Sequence, residues 1–543
     1  MGLFFNYDNS VCNDGDATSV FSYDPTIYSL KELLVYELSQ ASYYGVKLRN
    51  SGEDVTPVFD KILEFAGMIL VNMDFRKEKL MSVIKSVYDF VLELEARYKS
   101  LCDAKGEVFE PLNGEKLSFG TRKNARHAVK FGEKQIMVKN TEFSKAKKQL
   151  TEIAVILVSH AIILVNEIER YEGNADNLKY QIPEIVNDIY FSNDNDDVLR
   201  KKVCEFANVS YDTLKSLSDL IKSKYGPVVK TSVNLDIKQG KAILVSGHFF
   251  KNLENLLDAV EGSDINVYTH GEMMFAHAFS FFKKYRNLAG HYQLSLNNVA
   301  PDFAKFPGPV LITKNSLPNT DIIRGNVFTT DANPSYGLGK IAENDFSPLI
   351  NAADDAEGFL QNISIGSINT GFDENVLKNK VREILREINE NKVERLFLIG
   401  LTNFNSEQNV YFEKFFEIVP ENCKIISFSY GKQRENIIGT DTSGDSSLIL
   451  SVIEELAKNP EIFREKVTVF LTQCNFRTIL FAIKLKNLGV KNVFIGKCCP
   501  NVFSPTTVAG LRELFDVKKI DLPEIDLSDT APNTPKYPEN GSF

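Results

Sequence analysis

Residues 242–273 read AILVSGHFFKNLENLLDAVEGSDINVYTHGEM, and this stretch decides the fold. A short apolar run closes on Ser246-Gly247, a helical pattern (LENLLDAVEG) follows, and a second β-branched and aromatic run (INVYTH) closes on His270. Strand, helix and strand in that order predict a pair of parallel strands joined by a crossover helix. In open α/β sheets ligands bind outside the carboxyl ends of the strands, which makes Glu272, just past the second strand, a candidate functional group. The competing reading is a helix N-terminal acid, placed there by the macrodipole.

The pattern extends in both directions. Towards the C-terminus come the strands PVLITKN and NVFTT, with FAHAFSFFKKY as a helical stretch between them and the first pair. A second α/β run begins near 370 with the helix NVLKNKVREILREINENK and continues through RLFLIGL, CKIISFS, VTVFLTQ and NVFIG. Towards the N-terminus, residues 28–225 carry apolar residues at three- and four-residue spacing, as in KLMSVIKSVYDFVLELEARYKSL, which predicts helical bundles. The expected architecture is therefore a multidomain α/β protein: N-terminal helical bundles over 1–225, then two doubly wound, Rossmann-like α/β domains over 226–369 and 370–520. Residues 521–543, acidic and rich in proline, are expected to be a disordered tail.

Composition bounds the function. The 543 residues exceed a single core, and 43% hydrophobic with 25% charged residues describes a globular chain. A net charge of -10 argues against nucleic-acid binding, which needs a clustered basic surface. The longest apolar run, IAVILVSHAIILV at 153–165, is shorter than the roughly 18 residues of a bilayer span and predicts a buried helix, so no membrane partner is expected. No signal or transit peptide is visible in MGLFFNYDNSVCNDGD. The seven cysteines (Cys12, Cys102, Cys204, Cys423, Cys474, Cys498 and Cys499) show no CxxC spacing, which favours a reducing intracellular compartment such as the cytoplasm over a disulfide framework or a thiolate zinc site. SYGLGK at 335–340 lacks the first glycine of a phosphate loop, since Pro334 stands there. The serines of SGDSS at 443–447 read as helix caps.

The helical region, then VSGHFFKNLENLLDAVEGSDINVYTHGEMMFAHAFSFFKKYRNLAGHY, PVLITKNS, VFTT and LGVKNVFIGKCCPNVFSP, together resemble the hybrid cluster protein, or prismane, family from about residue 5 to 518. The most specific parts are Gly247-His248, Tyr268 to Met273, Phe282 to Tyr285 and the segment ending at Pro505. The resemblance implies two three-helix bundles followed by two α/β domains, and a redox enzyme of nitrogen chemistry, credited with hydroxylamine and nitric oxide reduction and protein S-nitrosylation. It further implies a cubane near the N-terminus and an iron–sulfur–oxygen hybrid cluster held by a histidine, two glutamates and four cysteines, one of them persulfidated.

Carried over position by position, the histidine falls on His248 and the first glutamate on Glu272. The four cysteine positions fall on Ser316, Thr402, Tyr430 and Ser443, and the second glutamate on Asn475. The cubane cysteines fall on Asn6, Asn9, Gly15 and Phe21. Neutral hydroxyls and amides are poor substitutes for thiolates around an iron–sulfide core. No cluster is therefore expected. Bulky Phe21, Tyr430 and Phe404 would refill the vacated volume, and Cys474, one step from Asn475, would point to the opposite face.

His248 and Glu272 remain as remnant ligands. They are expected to hydrogen-bond each other, the alternative being a single divalent metal held with the nearby hydroxyls. The functional expectation is a catalytically degenerate homologue that serves, with protein partners, as a structural or binding component of a larger assembly. The alternatives are a hydroxylamine or nitric oxide reductase and a mononuclear-metal enzyme using His248 and Glu272.

Overall fold

The computed structural model describes residues 24–70, 77–112, 125–293, 299–313, 326–330, 338–342, 345–400, 406–428, 435–440, 446–472, 476–496 and 504–531. The described residues divide into two compact units, 24–217 with 504–515, and 218–496 with 516–531.

The first unit is helical. It holds α1 (Pro25–Asn50), α2 (Thr56–Leu70), α3 (Lys77–Lys105), α4 (Ala125–Glu142), α5 (Lys145–Arg170), α6 (Asp176–Phe191) and most of α7 (Asp196–Tyr225). Asp24 starts α1 by accepting from the Thr26 and Ile27 amides, with Pro25 at the first helical position. Helix α1 then runs through the middle of the unit, packed by α3, α4 and α6. It buries polar groups as well as apolar ones: Lys31, Glu32, Glu37 and Gln40 are all inside. Glu32 is paired with Lys139 of α4 at 2.9 Å. Glu37 has one carboxyl oxygen without a hydrogen-bond partner among the described residues, and burial pushes its pKa up to about 8. The apolar run of α5 is buried from Ile153 to Val165, as its sequence predicts. Among the described helices it is the one long and apolar enough to cross a membrane.

Helix α16 (Pro505–Phe515) belongs to this unit too, although it follows the second α/β run in sequence. It packs on α5 where Gly510 meets Gln149, an approach that leaves a Cβ only 2.9 Å from the Gln149 side chain.

The second unit contains two six-stranded sheets. In the first, β2 (Ala242–Ser246), β3 (Asn266–His270), β4 (Leu288–His291), β5 (Val310–Ile312), β6 (Val327–Thr329) and β7 (Gly339–Lys340) alternate with α8 (Phe250–Ala259), α9 (Val299–Lys305) and α10 (Ser347–Asp355). In the second, β9 (Arg395–Ile399), β10 (Cys423–Ser427), β11 (Ile437–Gly439), β12 (Val467–Leu471), β13 (Asn492–Ile495) and β14 (Lys518–Lys519) alternate with α11 (Glu374–Asn389), α12 (Ser406–Ile418), α13 (Ser446–Ala457), α14 (Pro460–Lys466) and α15 (Phe476–Asn487). The strand orders are β4-β3-β2-β5-β6-β7 and β11-β10-β9-β12-β13-β14, parallel throughout. Counted within each sheet both are 3-2-1-4-5-6, the doubly wound order of dinucleotide-binding folds. The strands β2, β9 and β12 are buried along their whole length, which is why they read as unbroken apolar runs.

Two segments depart from the sequence expectation. FAHAFSFFKKY is not an α-helix; residues Gly271–Ala278 and Ser280–Lys284 form two tight 3-10 turns. They are held by aromatic packing of Phe275, Phe279, Phe281 and Phe282 with Tyr225 and Phe250. Residues 521–531, expected within a disordered tail, instead continue the second domain as α17 (Pro523–Thr530). Leu527 and Ala531 enter the core against α12, and the Asp526 carboxylate accepts hydrogen bonds from the Tyr411 hydroxyl at 2.6 Å and the Asp521 amide at 2.9 Å. Residues 532–543 lie outside the described residues.

A two-stranded antiparallel ribbon completes the unit. β1 (Thr231–Asn234) pairs with β8 (Ser367–Thr370), and the pairing continues through Ile237 with Ile363 and Gly240 with Phe359. The partners shift by one residue between each of these contacts, so the ribbon carries two bulges.

Candidate functional site

The direction of winding in the first sheet reverses between β2 and β5, so its ligand-binding crevice is expected at their carboxyl ends. Strand β2 ends at Ser246, and Gly247 follows with φ +119. A side chain there is blocked twice: the conformation favours glycine, and an added Cβ would lie 2.2 Å from Thr313 Oγ1 at the end of β5. That hydroxyl in turn accepts from the amides of His248 and Phe249, at 3.2 and 3.3 Å. It thereby caps α8 from a neighbouring strand, since Phe249 offers no side-chain cap of its own. The backbone of His248 is thus fixed at the reversal point.

Strand β3 delivers Glu272 beside it. After His270 the chain turns through Gly271, φ +59, and Glu272 falls in the first turn of the 3-10 segment. His248 Nδ1 and Glu272 Oε2 are 2.7 Å apart, with 13% and 12% of their side chains exposed. The Glu272 carboxylate accepts the proton on His248 Nδ1. Nε2 is buried and has no hydrogen-bond partner among the described residues. The pairing expected from the sequence is therefore present.

The other positions named from the sequence lie outside the described residues: Asn6, Asn9, Gly15, Phe21, Ser316, Thr402, Phe404, Tyr430, Ser443, Cys474 and Asn475. In chain order Ser316, Thr402, Tyr430, Ser443 and Asn475 follow the carboxyl ends of β5, β9, β10, β11 and β12. Among the described residues no three or more of His, Cys, Asp and Glu form a group able to hold a metal. Of the described thiols, Cys423 lies at the amino end of β10, away from the ligand-binding edge. Burial pushes that thiol up to about 12, so it is not a thiolate at neutral pH.

The ends of β2 and β3 also carry a buried polar network that was not legible in the sequence. Ser246 Oγ meets His270 Nδ1 at 3.0 Å, and His270 Nε2 meets Asp302 Oδ2 at 3.2 Å. Thr269 Oγ1 contacts His277 Nε2 and His291 Nδ1, both at 3.0 Å, and His291 Nε2 reaches Gln293. Burial lowers His277 to about 4 and His291 to about 3, so both rings are neutral at pH 7. The serine, histidine and aspartate have the composition of a hydrolytic triad, but Ser246 and Asp302 are 0% exposed and His270 1%. No substrate reaches a hydroxyl placed there; the network ties β2, β3 and α9 together. The available signal was the crowding of four of the six histidines into residues 248–291.

The fold and the site define a class: a helical N-terminal region joined to two parallel-sheet α/β domains, with a histidine and a carboxylate at the first sheet's reversal point. Residues 14–443 match the sequence model of the Prismane/CO dehydrogenase family, and the chain belongs to that family. Curated relatives include proteins named hydroxylamine reductase from Syntrophobacter fumaroxidans (27% identical, covering 93% of this chain and 95% of the relative) and Thermodesulfovibrio yellowstonii (25%, covering 97% and 99%). Another, from Salmonella enteritidis, is 29% identical over 60% of this chain and 62% of the relative. A solved structure of acetyl-CoA synthase/carbon monoxide dehydrogenase aligns over 94% of this chain and 82% of its own, at 12% identity and a TM-score of 0.47.

Proposed function

We propose that this chain is a catalytically degenerate member of the family, in which neither iron–sulfur cluster assembles, and that it works as a structural or binding component of a larger assembly. The observation that carries the proposal is the donor set. A hybrid cluster needs thiolates beside its histidine and carboxylates, and the positions onto which the family resemblance carries the remaining ligands hold Ser316, Thr402, Tyr430, Ser443 and Asn475. The two retained groups are turned toward each other at 2.7 Å. These residues do not fit an iron–sulfur cluster, since soft sulfur ligands are what such clusters require. The hydroxylamine reductase activity named for the relatives would depend on that cluster, so it is the alternative to this proposal.

A second reading rests on His248 Nε2. A buried imidazole nitrogen held in one tautomer by a carboxylate is the arrangement that presents a histidine to a single divalent ion. Two protein groups are fewer than the three or four that catalytic and structural zinc sites use, so the degenerate reading is preferred.

The deciding measurement is the iron, zinc and acid-labile sulfide content of the anaerobically purified protein, with its visible absorption spectrum. Substoichiometric metal and no visible band are the expected result. About one metal per chain, lost in a His248→Ala, Glu272→Ala variant, would establish the second reading. Iron together with sulfide would overturn the proposal in favour of a reductase.

A further inference from the structure

The amino ends of the second sheet carry a row of polar side chains on its aromatic face. Register pairs Cys423 with Arg395, Phe397 with Thr468, Thr468 with Asn492 and Phe494 with Lys518. Alternate residues of a strand share a face, so Cys423, Arg395, Thr468, Asn492 and Lys518 stand on the side where Phe397, Phe470 and Phe494 pack against α12. Thr402 and Asn475 follow the opposite, carboxyl ends of β9 and β12.

Within this row Arg395 is a buried charge without a counter-charge. It is 8% exposed, and buried charges are as a rule paired, because leaving water is costly. Its Nη1 donates to the Thr468 hydroxyl at 3.3 Å. Nε is buried with no hydrogen-bond partner among the described residues. Nη2, on the same side of the planar group as the Nε hydrogen, makes no hydrogen bond among them either. The acids that act on Arg395 are Glu394 and Glu465, yet both are engaged elsewhere. Glu394 accepts from the Asn422 side-chain amide at 3.1 Å, and Glu465 pairs with Lys491 at 2.7 Å. The Cys423 thiol is no counter-ion, since burial keeps it protonated. Lys518 adds a second positive charge to the row, donating to Asn492 Oδ1 at 3.3 Å. The row is closed at Cys423 and Thr468 and half-buried at Asn492 and Lys518.

We infer that Arg395, at the amino rim of the second sheet, binds a small oxyanion, a carboxylate or a phosphate, whose two oxygens accept from Nε and Nη2. The planar fork matches such a group with two parallel charge-assisted hydrogen bonds, and the bond from Nη1 to Thr468 fixes the plane before the anion arrives. Lys518 places positive charge at the half-buried end of the row, which favours entry of an anion from that side. The little of Arg395 that reaches solvent suits a free small anion rather than the side chain of a docked protein. The inference goes beyond the proposed function and does not rest on it, because none of these residues stands at a cluster-ligand position.

The test uses the full-length chain, with sodium formate and inorganic phosphate as probes and chloride holding the ionic strength constant. Isothermal titration is expected to show saturable binding of one anion per chain. The ratio of folded to unfolded protein is expected to rise about hundredfold at about 100 times the dissociation constant. Binding of formate without phosphate would assign the site to carboxylates, and the reverse to phosphates. Arg395→Met keeps the stem, removes the fork and is expected to abolish binding. Arg395→Lys keeps the charge without the fork and is expected to weaken binding by at least about tenfold; it carries the comparison if the methionine variant does not fold. Two results would overturn the inference: no saturable binding of either anion to the wild-type chain, or a folded Arg395 variant that binds as tightly as wild type. The wild-type titration can refute it without either variant.

Discussion

At the residue scale the site depends on one missing side chain. Gly247 allows Thr313 to come close enough to cap α8 and to hold the backbone of His248. Gly247→Ala adds both an unfavourable φ and a contact of 2.2 Å. It should cost about 1–3 kcal/mol of stability, visible as a lower urea midpoint. His248 and Glu272 were legible in the sequence because they stand at strand ends in a recognisable motif. Ser246, His270 and Asp302 were not, because their roles depend on which strands and helices become neighbours in space. Asp302 lies on α9, far along the chain from the serine it serves through His270.

At the element scale the strands with buried faces were readable, since a parallel strand covered on both sides is a run of β-branched and aromatic residues. AILVS, NVYTH, RLFLI and VTVFL all appear where that rule puts them. The ribbon strands TSVN and SINT were not readable, because four-residue segments of mostly serine, asparagine and threonine with one apolar residue each show no apolar alternation. Helix α17 was hidden by its acids and prolines, which suggest disorder until Asp526 is seen as a buried acceptor rather than a surface charge. Asp526→Ala should leave the Tyr411 hydroxyl buried without its partner, at a cost of about 1–3 kcal/mol. The loss should appear as faster hydrogen exchange across Pro523–Thr530. Tyr411→Phe removes the donor together with its need for an acceptor, and should disturb the helix less.

At the scale of the whole molecule, the two units bury groups whose contributions depend on pH in opposite senses. In the helical unit Glu37 is raised from 4.5 to about 8 by burial. Its contribution is complete below pH 4.5 and is lost as pH rises through 8, because the unfolded chain releases a proton that the folded one keeps. Glu37→Gln, which mimics the protonated form, should therefore raise the thermal midpoint at pH 8 and leave it nearly unchanged below pH 4.5. In the α/β unit His277 and His291 are lowered from 6.5 to about 4 and 3. Their contribution is present above pH 6.5 and is lost as pH falls toward those values, since unfolding lets both rings take up protons. A His291→Gln variant should be less stable than wild type at pH 7, with the difference narrowing below pH 6.5. Calorimetry from pH 4 to pH 8 measures both trends.

The ribbon also has a meaning for how the chain is assembled. Gly240 and Phe359 exchange backbone hydrogen bonds at 2.9 Å, and everything between them is the first α/β domain. That domain begins and finishes at one spot. A chain whose two ends already touch can be lifted out, closed by a short turn and reopened elsewhere without stretching any strand. The first α/β domain is, in this sense, a loop of very large size, and the ribbon is the stem from which it could be transplanted into another protein.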